Sequence, residues 1–278
     1  MIKPIITMQT DFGTGGGSAM RGTCLKVDSD LEIYEISHSI EKFNVKAAAR
    51  SLYHIVPYWP EGTIFVSVID PGVGTSRRAS VALLNNGSYV VTPDNGSLTL
   101  LLDIPGIKAV RTIDETVNRL KGSEKVSIFH GRDLFAYCAA KLASGIIDFE
   151  GVGPEYPVDE IVRFSEPAYK VSEGNAEGIV TGIMRTFGNI ETSIPISSAE
   201  NAGILPEHDL HVTIVQNGSE VYCSVIPYRP SFGWVAPGKE VVYNGSDGYL
   251  GLGINLGNFS EKYSIVSGDG SIIRIERM

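Results

Sequence analysis

Val66-Ser67-Val68-Ile69-Asp70-Pro71-Gly72-Val73-Gly74-Thr75-Ser76-Arg77-Arg78 is the stretch on which the reading of this chain turns. The run Ile64 to Ile69, apolar but for one serine, reads as a buried strand. It ends on Asp70, and a Pro-Gly-Val-Gly-Thr turn follows before two arginines, Arg77 and Arg78. Pro71 fixes one backbone angle, while Gly72 and Gly74 permit angles that other residues avoid. A carboxylate leaving a buried strand, with a guanidinium folded back over it, is a common way to build a site in an open α/β sheet. The same residues also suit a solvated loop closed by a surface salt bridge. The rest of the chain has to decide.

At 278 residues the chain is long enough for one large domain or two smaller ones. Its hydrophobic fraction of 43% and charged fraction of 20% are those of a soluble globular protein. A formal net charge of −9 argues against a nucleic-acid partner and is compatible with a small neutral or cationic ligand. The three cysteines, Cys24, Cys138 and Cys223, lie far apart with no metal-ligand spacing, which points to a reducing cytoplasm. The N-terminal apolar run is too short for a signal peptide, and no run approaches the roughly 20 residues that span a bilayer.

Working outward, Ile5 to Met8 reads as a short strand leading into Gln9-Thr10-Asp11-Phe12-Gly13, then Thr14-Gly15-Gly16-Gly17-Ser18 and a helix over about Ala19 to Lys26. The glycine run fits neither a dinucleotide fingerprint nor a Walker loop, and no lysine follows it. A carboxylate at a strand end, such as Asp11, more readily grips a ribose diol, which offers two hydroxyl donors. Leu31 to Ile36 alternates like a strand and leads to His38, which reads as a hydrogen-bonded structural residue. Asn44 to Ile55 is helical, with Ala47, Ala48, Leu52 and Ile55 on one stripe. Val81 to Leu84 and Tyr89 to Val91 flank Asn85-Asn86-Gly87 and predict a hairpin. Thr92-Pro93-Asp94-Asn95-Gly96-Ser97 breaks the chain before a helix near Leu98 to Leu102. Val126 to Phe129 reads as a further strand running into His130-Gly131-Arg132-Asp133, with a helix over about Leu134 to Leu142. Strands alternating with helices predict a mostly parallel sheet covered on both faces.

From Glu150 to Gly174 the texture turns rich in Gly, Pro, Glu and Ser and reads as a link, setting domains at 1–165 and 175–278. Beyond it come short β-like runs: Gly178 to Ile183, Glu191 to Ile194, Leu210 to Gln216, Glu220 to Ile226, Val241 to Tyr243, Leu250 to Ile254, Tyr263 to Val266 and Ile272 to Arg277. They predict a small antiparallel β-barrel or sandwich. The fold class is therefore α/β: a mostly parallel N-terminal α/β domain plus a smaller C-terminal antiparallel β-barrel domain.

The blocks T-D-F-G, V-I-D-P-G-V-G-T-S-R-R, T-P-D-N-G and F-H-G-R-D, followed by Phe187-Gly188-Asn189 and Gly248-Tyr249-Leu250, occur in that order along the chain. Together they resemble the S-adenosylmethionine hydroxide adenosyltransferase family, relatives of the fluorinating and chlorinating enzymes. The resemblance implies attack of water or hydroxide on the ribose 5′ carbon of S-adenosylmethionine, giving adenosine and methionine. It implies a homotrimer with the ligand at the subunit interface. It maps the family's triad onto Asp70, Arg77 and His130, the ribose carboxylate onto Asp11, an adenine-stacking ring onto Phe187 and the following amide onto Asn189. The leaving group is a neutral thioether departing from a sulfonium, so neither a general acid, a metal nor a cofactor is required. The demand falls on a base and on alignment of the nucleophile. Asp70 and His130 are expected to share the water's proton, with Arg77 holding the geometry. Phe43 and Tyr243 offer aromatic faces to the sulfonium.

The chain departs from the family pattern in two places. Gly15, Gly16 and Gly17 stand where an acidic residue is usual, and Met184-Arg185-Thr186 precedes Phe187 where another acid is usual. Both acids belong to the site for the methionine ammonium. Ser18 is the first candidate to take their place, and Ser246, just before the Gly248-Tyr249-Leu250 block, the second. Competing readings are an adenosyl halide synthase and a non-catalytic adenosine or sulfonium binder.

Overall fold

The computed structural model describes residues 3–13, 15–165, 167–184 and 186–278; Thr14 and Arg185, named above, lie outside them. The chain divides into two compact units, Met1–Phe164 and Ser165–Met278.

The first unit is built on seven strands: β1 (Ile6–Thr10), β2 (Ile33–Ser37), β3 (Ile64–Val68), β4 (Ala79–Leu84), β5 (Tyr89–Pro93), β6 (Ile107–Thr112) and β7 (Glu155–Tyr156). They lie in the order β2-β1-β3-β5-β4-β6-β7. The four strands from β2 to β5 run parallel, and β4 turns back antiparallel through the hairpin at Asn85-Asn86-Gly87. Every residue of β3 is buried, because the sheet is covered on both faces. Ile64, Val66 and Val68 join the core under the helices α1 (Gly16–Val27) and α3 (Tyr137–Ala143). Phe65, pointing the other way, packs with Leu52 and Val56 at the end of helix α2 (Val45–Ile55). Cutting Phe65 to alanine should cost about 3–5 kcal/mol, the usual range for a fully buried phenylalanine. One polar seam crosses that second face: Gln9 donates to the Ala48 carbonyl at 3.1 Å and to Ser67 at 2.8 Å.

Several expectations change here. Val126 to Phe129 forms no strand. Val126 and Ile128 are exposed, and Arg119 donates to the Val126 carbonyl at 2.6 Å, so apolar residues alone did not make a pairing edge. His130 accordingly leads into one turn of π-helix, Gly131–Ala136, that continues into α3. In place of an α-helix over Leu98 to Leu102, a 3₁₀ turn at Thr99–Leu101 runs on into an irregular π-type turn at Leu102–Gly106. β6, absent from the sequence reading, pairs with β4.

The second unit holds β8 (Lys170–Ser172), β9 (Asn175–Met184), β10 (Asn189–Pro195), β11 (Asp209–Gln216), β12 (Ser219–Pro227), β13 (Glu240–Asn244), β14 (Tyr249–Ile254) and β15 (Ser271–Arg277). Their order is β12-β11-β15-β9-β10-β14-β13, with β8 pairing β9. All these pairings are antiparallel, and a single bridge from Tyr228 to Val242 brings the two ends together. The result is a nearly closed barrel around Val180, Ile190, Ile194, Val212, Ile214, Leu252 and Ile273. The mixed α/β class with a C-terminal β-barrel is as the sequence predicted. Tyr263 to Val266 is again not a strand. Asn258 accepts the Glu261 N–H and caps a short helix over Phe259–Tyr263, whose Phe259 and Tyr263 pack on Tyr222. No helix among the described residues is long and apolar enough to cross a membrane.

Candidate active site

Asp70 leaves the carboxyl end of β3 because Asn95, from the T-P-D-N-G block, donates to the Ile69 carbonyl at 2.9 Å and holds that strand end in place. The following turn is tight. Thr75 donates to the Gly72 carbonyl through both its backbone (3.1 Å) and its hydroxyl (2.7 Å). Gly74, at φ +76°, lies where a Cβ would sit 3.0 Å from the Ser127 carbonyl. Arg77 is thereby returned over Asp70. Its Nε donates to both carboxylate oxygens at 3.0 and 3.1 Å, and Nη2 donates to Oδ2 at 2.5 Å. The same Nη2 lies 3.0 Å from His130 Nδ1. The two side chains are 4% (Asp70) and 11% (Arg77) exposed, and the guanidinium lies 5.2 Å from the centre of the buried Phe135 ring. The solvated-loop alternative does not survive this burial.

The structure brings Asp70, Arg77 and His130 into one chain of contacts, with arginine in the middle. A guanidinium has only donors to give, so Nδ1 of His130 accepts and the neutral ring carries its hydrogen on Nε2. Burial pushes the His130 pKa below its usual 6.5, and the adjacent Arg77 charge pushes it the same way. Arg78, one residue on, faces elsewhere. It bonds Glu160 at 2.8 Å, pairs with Asp94 and lies over the Tyr156 ring at 4.2 Å. Its role is to tie the chain around residue 160 to the sheet.

The T-D-F-G block reaches the same region through Phe12. That ring meets Phe129 edge-on at 5.6 Å and lies against Gly131, where a Cβ would meet it at 2.7 Å. Asp11 accepts the Phe43 N–H at 2.9 Å, which pins Phe43 at φ +63° with its ring 69% exposed. Such a positive φ is uncommon for a residue with a side chain. The glycine run has a packing explanation: a Cβ on Gly16 would fall 2.1 Å from Phe12 Cβ, and one on Gly17 2.0 Å from His38 Nε2. His38 is bonded to Thr10 at 2.8 Å and Glu35 at 2.6 Å, a structural residue as expected. Ser18 is exposed in the first turn of α1.

In the barrel unit, Phe187 is exposed in the turn before β10, with its N–H bonded to the Met184 carbonyl at 3.0 Å. Asn189 and Tyr243 are buried and hydrogen-bonded to each other. Tyr243 lies across Gly251, where a Cβ would meet its ring at 2.7 Å, and Phe232 meets it edge-on at 4.6 Å. Burial and the nearby charges of Glu191 and Asp247 push the Tyr243 hydroxyl up to about 12. Ser246 is exposed in the turn between β13 and β14. Sequence reasoning passed over Phe12, Asn95, Phe135 and Phe232. Asn95 stood inside a quoted block, but nothing local told that it would hold the Ile69 carbonyl.

Among the described residues no group of three or more His, Cys, Asp and Glu is placed to hold a metal ion. Of the histidines at 208 and 211, His208 accepts the Leu205 N–H at 3.1 Å and His211 faces Cys223.

Comparison with known proteins agrees in both units. Residues 6–153 match the SAM hydroxide adenosyltransferase N-terminal domain and residues 184–271 its C-terminal domain. A protein of Thermus thermophilus named (R)-S-adenosyl-L-methionine hydrolase is 35% identical over 85% of each chain. A fluorinase of Actinopolyspora mzabensis is 30% identical over 99% of this chain and 98% of its own. The crystal structure of an uncharacterized conserved protein from Thermotoga maritima superposes with a TM-score of 0.84 at 32% identity, covering 98% of this chain and 100% of that one. This chain belongs to the SAM hydroxide adenosyltransferase family.

Proposed function

We propose that the protein hydrolyses S-adenosylmethionine to adenosine and methionine, with water attacking the ribose 5′ carbon and methionine leaving as a neutral thioether. The observation that carries this reading is the buried Asp70–Arg77–His130 chain, in which one guanidinium nitrogen serves both neighbours. Arg77 occupies Nδ1 of His130, so Nε2–H is a donor that can orient a water oxygen. Asp70 is then the base. A carboxylate has about four acceptor positions, so two oxygens bonded to Arg77 still have one for the water proton. This divides the roles that the sequence reading had shared between Asp70 and His130. A base so placed contributes roughly 10² to 10⁴ in rate. No step of this chemistry calls for a metal or a cofactor.

Asp11 suits the ribose hydroxyls, since its bond to Phe43 leaves acceptor capacity for a diol. Phe187, exposed beside Asn189, suits the adenine, and Tyr243 and Phe43 suit the sulfonium. Ser18 and Ser246 are polar groups for the methionine end. On this reading the working form is a cytoplasmic homotrimer, which analytical ultracentrifugation checks.

The fluorinase relatives keep halide transfer as the second reading. Against it stands Asp70: like charges about 4 Å apart at an effective dielectric of about 20 repel by about 4 kcal/mol, so a halide beside that carboxylate is disfavoured. Chromatography of the protein incubated with S-adenosylmethionine, with and without fluoride or chloride, decides. Equal amounts of adenosine and methionine, unchanged by halide or chelator, are expected. A 5′-halogenated adenosine would overturn the proposal, and an unreacted substrate bound tightly would make the protein a binding module.

A further inference from the structure

Away from these residues, the outer face of the barrel carries a second constellation. β12, β11 and β15 lie side by side, with Thr213 opposite Cys223 on one side and Glu276 opposite His211 on the other. Opposed residues of an antiparallel pair share a face. Three strands therefore bring Cys223, His211 and Glu276 together on the side away from the core formed by Leu210, Val212 and Ile214. His211 Nε2 lies 3.4 Å from the Cys223 sulfur, and His211 Nδ1 lies 3.8 Å from Glu276 Oε2. The Thr213 hydroxyl also approaches that sulfur, at 3.8 Å. Of the other charged groups on this face, Arg274 sits opposite Thr213 and donates to Glu177 at 2.8 Å, and Asp209 lies two residues before His211 on the same strand.

A thiol, an imidazole directed at its sulfur and a carboxylate behind that imidazole are the parts of an activated cysteine. Nothing in the adenosyl chemistry uses them. The geometry points to Cys223 as a site of reversible mixed-disulfide formation with low-molecular-weight disulfides. The Cys223 proton passes to His211 Nε2, while Glu276 stabilises the imidazolium. The thiolate attacks one sulfur of the disulfide, a Cys223 S–S bond forms as the original S–S bond breaks, and the departing thiolate takes up a proton. The incoming disulfide is the oxidant, so one thiol is consumed and one released.

The other two cysteines serve as internal controls. Cys24 and Cys138 are fully buried, and burial pushes both thiols up to about 12, which leaves Cys223 as the accessible one.

The test incubates the full-length protein with glutathione disulfide at pH 7 and follows the adduct by intact-mass spectrometry. One adduct per chain, removed by added reductant and absent in Cys223→Ser, is expected. His211→Asn should slow its formation at least about tenfold and Glu276→Gln about threefold, since the first removes the proton acceptor and the second the charge behind it. Both residues lie on an exposed face, so unchanged melting temperatures check that the variants are folded. An adduct that persists in Cys223→Ser, no adduct on the unaltered protein, or a His211→Asn rate equal to that of the unaltered protein would each overturn the proposal. None of these outcomes depends on adenosyl transfer.

Discussion

Arg77 Nη2 lies 3.0 Å from His130 Nδ1 while the same nitrogen and its Nε grip the Asp70 carboxylate. One side chain that can only donate therefore fixes both the position of an anion and the tautomer of a histidine. A protonated His130 would turn a second N–H toward that guanidinium, so the contact exists only while the ring is neutral.

The acid limb of activity follows from this. Burial and Arg77 lower the His130 pKa, so the ring stays neutral through and below the ordinary value of about 6.5. As pH falls through the lowered value, the ring gains a proton, loses its bond to Arg77 and releases the water. A pH profile of kcat/KM should accordingly show an acid limb from His130 with an apparent pKa below 6.5. The sign for stability is the same. Between the two pKa values the unfolded chain binds the extra proton and the folded one does not, so stability declines as pH falls below about 6.5. Replacing His130 with Gln should flatten that decline in thermal melts; an unchanged decline would assign it to other groups.

Asp70→Asn keeps the size and one acceptor oxygen for Arg77 but removes the base and the second acceptor. Turnover should fall by at least about 10², while the adenosine dissociation constant, read by calorimetry, stays within about threefold. Unimpaired turnover would take Asp70 out of the mechanism.

Arg77→Lys tests the bridge rather than the charge. An ammonium is a single point donor and cannot match the two-point grip on Asp70 and reach His130 at once. A loss of at least about tenfold in kcat is expected, with KM changed less. Activity close to that of the unaltered protein would mean that charge alone suffices.

Asp11→Asn should act on binding. Losing an anionic acceptor for the ribose hydroxyls, worth about 1.5–3 kcal/mol for a charged hydrogen bond, raises KM by about tenfold or more and leaves kcat comparatively intact. A pure kcat effect would place Asp11 in the chemistry instead.

The methionine end provides the last prediction. Gly16 has no room for a side chain against Phe12, and Met184 is uncharged, so on the proposed reading the methionine ammonium meets neither of the two carboxylates that the family resemblance implies. Specificity constants for S-adenosylmethionine and its deamino analogue should differ by less than about tenfold. A hundredfold preference for the amino form would indicate another carboxylate, with Glu191 and Asp247 near Tyr243 the first to replace.

Local patterning was enough for much of this protein. The unbroken apolar run of β3, the Asn-Gly hairpin and the alternating segments of the barrel carry their period in neighbouring residues, so strands, hairpin and barrel were legible in advance. The family resemblance carried by the ordered blocks, not local patterning, implied that Asp70, Arg77 and His130 form one set. The same local logic failed at Val126 to Phe129 and at Tyr263 to Val266, where apolar residues found no strand to pair with and a loop and an Asn258-capped helix formed instead. Tertiary structure alone decided three further things: that one guanidinium nitrogen of Arg77 serves both Asp70 and His130, that the glycine run answers to Phe12 and His38, and that Cys223 meets His211 across two strands. Each depends on which residues, distant in the chain, come within bonding distance, and that is set by sheet order and register, which no single stretch of sequence encodes.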